Sequence, residues 1–343
     1  MPSGDVSSPL GRPKGVIGVS RSRKSYVALF LAISLAVVAF GCGDAEPTPL
    51  PATSVPRPMA TPPPTVTPVP IPRPIPTPAL FPYTVTDSNG VDLTFNNPPE
   101  RIVAYDSAVV EILFALGEGD RVVGTHDFVS YPPAAADIVK LGGAFNVNLE
   151  ATVGLEPDLV FIFSDGFLAD FERAGLRVFY QETLNDDFTK IADNMRMWGR
   201  ITGATSKAEA LAADFEERVS RIVARLGVDL VGPSVFQDEG DLWTPGPDTL
   251  IAEVFELLKL QNIAQDVEGY AQISPEVIVE RNPELIIASY GDTISDRPGL
   301  EGINAVKSGR VYVPQSDALS VPGTRYIEGI EALARYVYPG LFE

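Results

Sequence analysis

From Tyr83 onward the sequence predicts an α/β fold made of two halves, each with a mainly parallel sheet, separated by one long helix. Three observations carry this. Short apolar runs alternate with stripes of helical period. One unbroken helical pattern over 207–226 divides two such stretches. A short phrase also occurs twice, 126 residues apart, once in each half.

In chain order, 101–105 reads as a buried strand, and 108–116 as a helix stopped by Gly117. Residues 122–124, 159–163 and 177–180 are further strands, and alternating strands and helices argue for parallel pairing. A helix from about 188 to 201 carries Phe188, Ile191, Met195 and Trp198 on one stripe. The next helix opens on a capping box, Ser206 with Glu209. It keeps Leu211, Phe215, Val219, Ile222 and Leu226 on one face, and Gly227 ends it. At 1.5 Å per residue it spans roughly 30 Å. After it 231–236, 285–288 and 311–313 read as strands, and 250–260 and 327–336 as helices.

The segment before Tyr83 has a different character. Residues 1–41 read as a signal peptide: Arg12, Lys14, Arg21, Arg23 and Lys24 precede fifteen uncharged residues over 26–40. Fifteen is short of the roughly 20 that a bilayer span needs. The sole cysteine, Cys42, follows Gly41, and the context resembles the lipobox of bacterial lipoproteins, in which that cysteine takes the lipid. Phe40 and Ala39 depart from the usual pattern, and an uncleaved N-terminal anchor is the alternative. Within 42–82, the stretch 46–82 holds 15 prolines, which exclude helix and sheet. An extended stalk of polyproline type, on the order of 110 Å long, is expected there.

Charge and cysteine content exclude whole classes. Five of the 26 Lys and Arg and one of the 45 Asp and Glu lie in 1–41, which leaves 21 against 44 and a net charge of −23. Such a surface repels nucleic acid. One cysteine leaves no intrachain disulfide. The chain has a single histidine, His126, and neither a catalytic triad, a zinc motif nor a P-loop is apparent, so no enzymatic activity, cofactor or resident metal is expected. A carboxylate-based hydrolase using Asp106, Asp127, Asp165, Asp238 or Asp317 remains the enzymatic alternative, although strand-end acids also serve as caps and turn formers.

The repeated phrase pairs Glu150, Val153, Pro157, Asp158, Leu159 and Val160 with Glu276, Val279, Pro283, Glu284, Leu285 and Ile286. In both copies a cap, Asn148 or Ser274, starts a short helix with the glutamate in its first turn. These phrases join Pro99-Glu100-Arg101, Glu111 to Gly117, Gly119 to Gly124, Tyr131-Pro132-Pro133, Gly142-Gly143 and Gly309-Arg310 in order and spacing. Together they resemble the iron-siderophore and cobalamin class of ABC-importer solute-binding proteins over about 83–340.

The resemblance implies two Rossmann-like lobes, at 83–187 and 228–343, joined through 188–227 by the rigid helix 207–226, the arrangement of class III solute-binding proteins. It implies a monomer outside the cytoplasm that captures a metal chelate between the lobes and delivers it to an ABC permease and ATPase complex. Glu150 and Glu276 stand where the family pairs one glutamate per lobe with permease arginines. Ligand contacts are implied at Tyr105, His126, Tyr131, Phe145 and Phe163 in the first lobe, and at Trp243, Tyr270, Tyr290, Asp317 and Arg325 in the second. Trp243 and Tyr270 are expected on loops facing Tyr131, because Pro and Gly flank them. Arg325 is the lone basic residue expected at a strand end, which favours a neutral or weakly charged chelate: a hydroxamate siderophore or a corrinoid. Heme follows, with Tyr131 or His126 as iron ligand. A sensor that binds without transport is a further alternative.

Overall fold

The computed structural model describes residues 80–143, 146–182 and 187–342. Cys42, the signal peptide and the stalk lie outside the described residues, as does Phe145.

The first lobe opens with a hairpin, β1 (Tyr83–Thr86) and β2 (Asp92–Phe95). It then runs through β3 (Ile102–Ala104), α1 (Ser107–Leu116), β4 (Val122–Thr125), β5 (Val139–Lys140), β6 (Gly142–Gly143) and β7 (Asn146–Val147). α2 (Leu149–Gly154), β8 (Leu159–Ile162), α3 (Leu168–Arg173) and β9 (Val178–Tyr180) complete it. Two helices follow, α4 (Lys190–Thr202) and α5 (Thr205–Leu226). The second lobe contains β10 (Ser234–Asp238), β11 (Trp243–Pro245), α6 (Leu250–Leu257), β12 (Gln261–Asn262), β13 (Tyr270–Gln272), α7 (Pro275–Arg281), β14 (Leu285–Ala288), α8 (Asn304–Lys307), β15 (Val311–Tyr312) and α9 (Tyr326–Val337).

Both main sheets are parallel, in the orders β5-β4-β3-β8-β9 and β12-β10-β14-β15. The shared order β4-β3-β8-β9 and β12-β10-β14-β15 makes the lobes topological copies. β8 and β14 stand 126 residues apart, the same offset as the repeated phrase. Each strand alternates between two covered faces. On β14, Leu285 and Ile287 face one apolar cluster, while Ile286 and Ala288 face another. On β3, Ile102 and Ala104 face the cluster shared with Leu285, and Val103 faces a third. That shared cluster also takes Ile112 and Leu113 of α1, Phe215 and Ile222 of α5, Ile251 of α6 and Ile330 of α9. The two lobes therefore rest on one continuous core, with each buried side chain worth about 1.5–3 kcal/mol.

α4 and α5 cross closely because Gly199 has no side chain: a Cβ there would lie 2.1 Å from that of Ala208. α5 is tied to α9 by Arg218, whose guanidinium donates two 2.9 Å bonds to the Glu331 carboxylate. The expected capping box at Ser206 and Glu209 does not form. α5 starts at Thr205 with Ala204 as cap residue and no side-chain cap bond, and Glu209 instead accepts from Arg196 of α4. The tertiary ion pair outcompetes the local cap. Among the described residues no helix is long and apolar enough to cross a membrane.

Candidate ligand-binding site

On an open parallel sheet, ligands sit beyond the carboxyl ends of the strands, where the strand order switches direction. In the second lobe that place lies between β10 and β14, and a cavity of about 460 Å³ opens there. At the end of β10 the Asp238 carboxylate accepts from Leu242 N at 2.9 Å and from Thr293 Oγ1 at 3.2 Å. These bonds hold a tight turn in which Asp241 and Leu242 take left-handed backbone, φ 48° and 63°. Such backbone is costly for residues with side chains and persists where the surroundings impose it. The turn delivers Trp243 into β11, which pairs antiparallel with β13: Trp243 opposes Gln272, and Pro245 opposes Tyr270. Both aromatics thus lie on strands, not on the loops expected from their Pro and Gly neighbours. Those two strands are three residues each, too short for a periodic signal.

Trp243 and Tyr270 line the cavity together with Tyr290, which follows β14. All three are substantially exposed, at 47%, 50% and 75%. Large apolar surface left in water on a built strand pair is unusual without a ligand to cover it. Partial burial pushes the Tyr270 phenol up to about 12, with the nearby Glu239 carboxylate adding to the effect.

The first lobe answers the same topological position differently. Tyr105, next after β3, is 1% exposed; its hydroxyl shares a 2.6 Å hydrogen bond with Thr152 Oγ1 and its ring packs 5.7 Å from Phe171. It is a core residue, not a ligand contact. His126, next after β4, is 6% exposed. Its Nδ1 accepts from Phe128 N at 3.2 Å, which leaves the proton on Nε2 to be donated to Ser107 Oγ at 3.1 Å. Burial drives its pKa down to about 4, helped by Lys140 and opposed by Asp127. Both of its ring nitrogens are thus engaged within the first lobe. Phe163, next after β8, is half-buried and borders a small cavity of about 30 Å³ that Pro322 of the second lobe also borders.

Arg325 is not a free cleft cation. Its Nε and Nη2 donate to Glu111 Oε1 at 3.1 and 2.5 Å, and Nη2 also donates to Asp317 Oδ1 at 2.9 Å. Its backbone N reaches Glu111 Oε2 at 3.4 Å. Glu111 sits on α1 of the first lobe and is 2% exposed, so the pair is a buried clasp between lobes. Gly323 makes room for it: a Cβ there would lie 2.7 Å from Glu111 Oε2. The ring of Tyr131 stacks on this guanidinium at 3.7 Å and does not line the aromatic cavity. Asp317 is likewise occupied by the clasp, although its side chain remains 44% exposed.

Glu150 and Glu276 occupy the first turns of α2 and α7, both exposed. Asn148 caps the first helix through Ala151 N at 3.0 Å, and Ser274 caps the second through Val277 N. The Ser274 hydroxyl and a backbone N–H hold the Glu276 carboxyl below the usual range. One turn further, Val153 and Val279 are 41% and 45% exposed, so each lobe presents an acid beside a bare valine. The repeated phrase contained those valines. Among the described residues no group of three or more metal-ligating side chains is gathered.

The model of the periplasmic binding protein family matches residues 102–318. An uncharacterised ABC transporter substrate-binding lipoprotein of Bacillus subtilis is 32% identical over 280 residues, which cover 77% of this chain and 88% of that one. A cobalamin-binding protein of Halobacterium salinarum is 29% identical over 272 residues, 74% of this chain and 73% of that one. Among solved structures, the vitamin B12-binding protein of Vibrio cholerae superposes with a TM-score of 0.64 at 23% identity, over 72% of this chain and 99% of that one.

Proposed function

Because the chain belongs to the periplasmic binding protein family, whose members bind substrates for transport, we propose that it captures a metal chelate and delivers it to an ABC permease and its ATPase. The observation that carries this reading is the aromatic cavity at the switch point of the second sheet, with Trp243, Tyr270 and Tyr290 open on its wall and no cation in its lining. Aromatic walls bury a large planar or amphipathic ligand and leave its polar rim wet. Of the two chelates that the charge pattern favours, a corrinoid ranks ahead of a hydroxamate siderophore. The likeness to the cobalamin-binding protein of H. salinarum supports that order.

In this reading the chain works as a monomer outside the cytoplasm. Cys42 carries the lipid, residues 42–82 form the stalk, and α5 links the lobes. Glu150 and Glu276 meet arginines of the permease, one from each lobe. It has no catalytic task. Titrating the full chain, purified in detergent, with cyanocobalamin, a ferric trihydroxamate and hemin tests the ligand assignment, with tryptophan fluorescence as readout. Cyanocobalamin should bind with a Kd of about 1 μM or tighter, equivalent to about −8 kcal/mol. Binding of hemin alone would move the assignment to heme, and failure of all three to bind would falsify the chelate assignment.

A further inference from the structure

Among the described residues that line the cavity Glu239 alone is charged, and it is held in an unusual way. Its Oε1 accepts from Gln237 Nε2 and from Ser289 Oγ, the latter at 2.9 Å, whereas Oε2 has no partner among the described residues. No Lys or Arg is paired with it there. Gln237 is 5% exposed and its orientation is set by the network: the amide nitrogen faces the carboxylate and Ser289, so Oε1 is turned away from them. That Oε1 is buried and has no hydrogen-bond partner among the described residues. That atom is closed off from the cavity, and Gln237 acts on the wall through Nε2, which positions Glu239. The one charge on the wall is therefore negative with an acceptor oxygen left over, and among the described lining residues no cation stands ready to receive an anion.

We propose that this wall reads the rim of the ligand. Glu239 accepts hydrogen bonds from N–H groups through the Oε2 that its neighbours leave over, so the site takes a chelate bordered by amides and rejects one bordered by carboxylates. The proposal rests on the chelate reading above and narrows it. A carboxylate rim placed here meets an unpaired carboxylate across a partly dehydrated cavity, where like charges repel strongly. An amide rim supplies the donor that Glu239 Oε2 lacks.

The test uses two dicyanocorrinoids with one ring and different borders: dicyanocobinamide, with its amides, and dicyanocobyrinic acid, with carboxylates in their place and, like the first, without a nucleotide loop. The full chain in detergent is titrated at neutral pH with each, and again as Glu239→Gln and Glu239→Ala, with a thermal melt of every variant. The wild-type chain should prefer the amide-bordered ring at least about 100-fold. Removing the charge should shrink that preference at least tenfold, mainly by improving binding of the acid. Glu239→Ala keeps the test open if Glu239→Gln folds poorly, since a half-buried rim position tolerates truncation. Equal binding of the two rings by the wild-type chain overturns the proposal. So does a preference that survives both substitutions, in which case the chelate reading stands and only the rim assignment falls. Failure of both rings, of a ferric trihydroxamate and of hemin to bind sinks the chelate reading and the proposal together.

Discussion

The two lobes share strand order and offset, yet the ends of their strands have opposite fates. In the first lobe Tyr105 and His126 follow β3 and β4 and turn inward, each with its polar atoms satisfied by Thr152, Ser107 or Phe128. In the second, Glu239 and Tyr290 follow β10 and β14 and stay open beside Trp243 and Tyr270. One topology thus provides a sealed end and a receptive end. The difference lies in hydrogen-bond closure: where local partners complete a polar side chain it joins the core, and where they leave an acceptor over it stays open to the cavity.

That contrast can be broken experimentally, and the largest effect should come from the clasp that binds the two ends. Arg325→Ala strands the Glu111 carboxylate in the core. Removing one partner of a buried pair typically costs about 3–5 kcal/mol, so the melting temperature should fall steeply. Glu111→Gln with Arg325→Met should recover much of the loss, and urea titration checks both.

The sealed end should also register acid. His126 has a folded pKa of about 4 against an ordinary value near 6.5, so the unfolded chain takes up its proton first. Its stabilising contribution is complete above pH 6.5 and is lost as pH falls from 6.5 through 4, by up to roughly 3 kcal/mol. Stability measured against pH for the wild-type chain and His126→Asn should differ in slope within that window alone. Identical slopes would place the imidazole in water.

At the receptive end, Trp243→Ala should weaken chelate binding by about 2 kcal/mol, roughly thirtyfold, with little change in melting temperature. Tyr105→Ala should do the reverse, with a large loss of stability by the cavity mechanism and a near-normal Kd. A Trp243→Ala variant that melts early yet binds normally would erase the distinction between the ends. The smallest effect is expected where the lobes are most alike. Glu150→Ala and Glu276→Ala should each lower uptake slightly, since an exposed ion pair is worth about 0.2–1 kcal/mol. The double variant should be clearly impaired, with ligand affinity unchanged; normal uptake would remove the docking role.

Much of this architecture was legible in the residues because it is periodic and local. β14 falls on 285–288 as the apolar run indicates, Gly117 stops α1 in left-handed backbone, and the repeated phrase marks equivalent helix-to-strand joints. The site was less legible, because its determinants are long-range or short-lived in sequence. Arg325 finds its carboxylate 214 residues away, so a cation that looks free at a strand end is already spent on Glu111. β11 and β13 owe their existence to each other rather than to any pattern of their own. The β1–β2 hairpin went unseen although a turn signal, Asn89-Gly90 with φ 79° at the glycine, sits between its strands. Glu239 carried no local mark either; only the placement of Gln237 and Ser289 around it sets it apart from any surface acid.

The clasp has one more consequence, and it concerns time rather than place. Lobes that share a continuous core and are pinned through Arg325 and Glu111 do not shut over an arriving molecule as a hinge would. Capture then needs no rearrangement, and association should proceed at the ordinary rate of about 10⁵–10⁷ M⁻¹ s⁻¹ for rigid docking. Differences in affinity between cargoes should appear almost wholly as differences in residence time. At a Kd of about 1 μM such rates give residence times of about 0.1–10 s, and a permease that shortened them by straining the lobes apart would have to work against this buried ion pair.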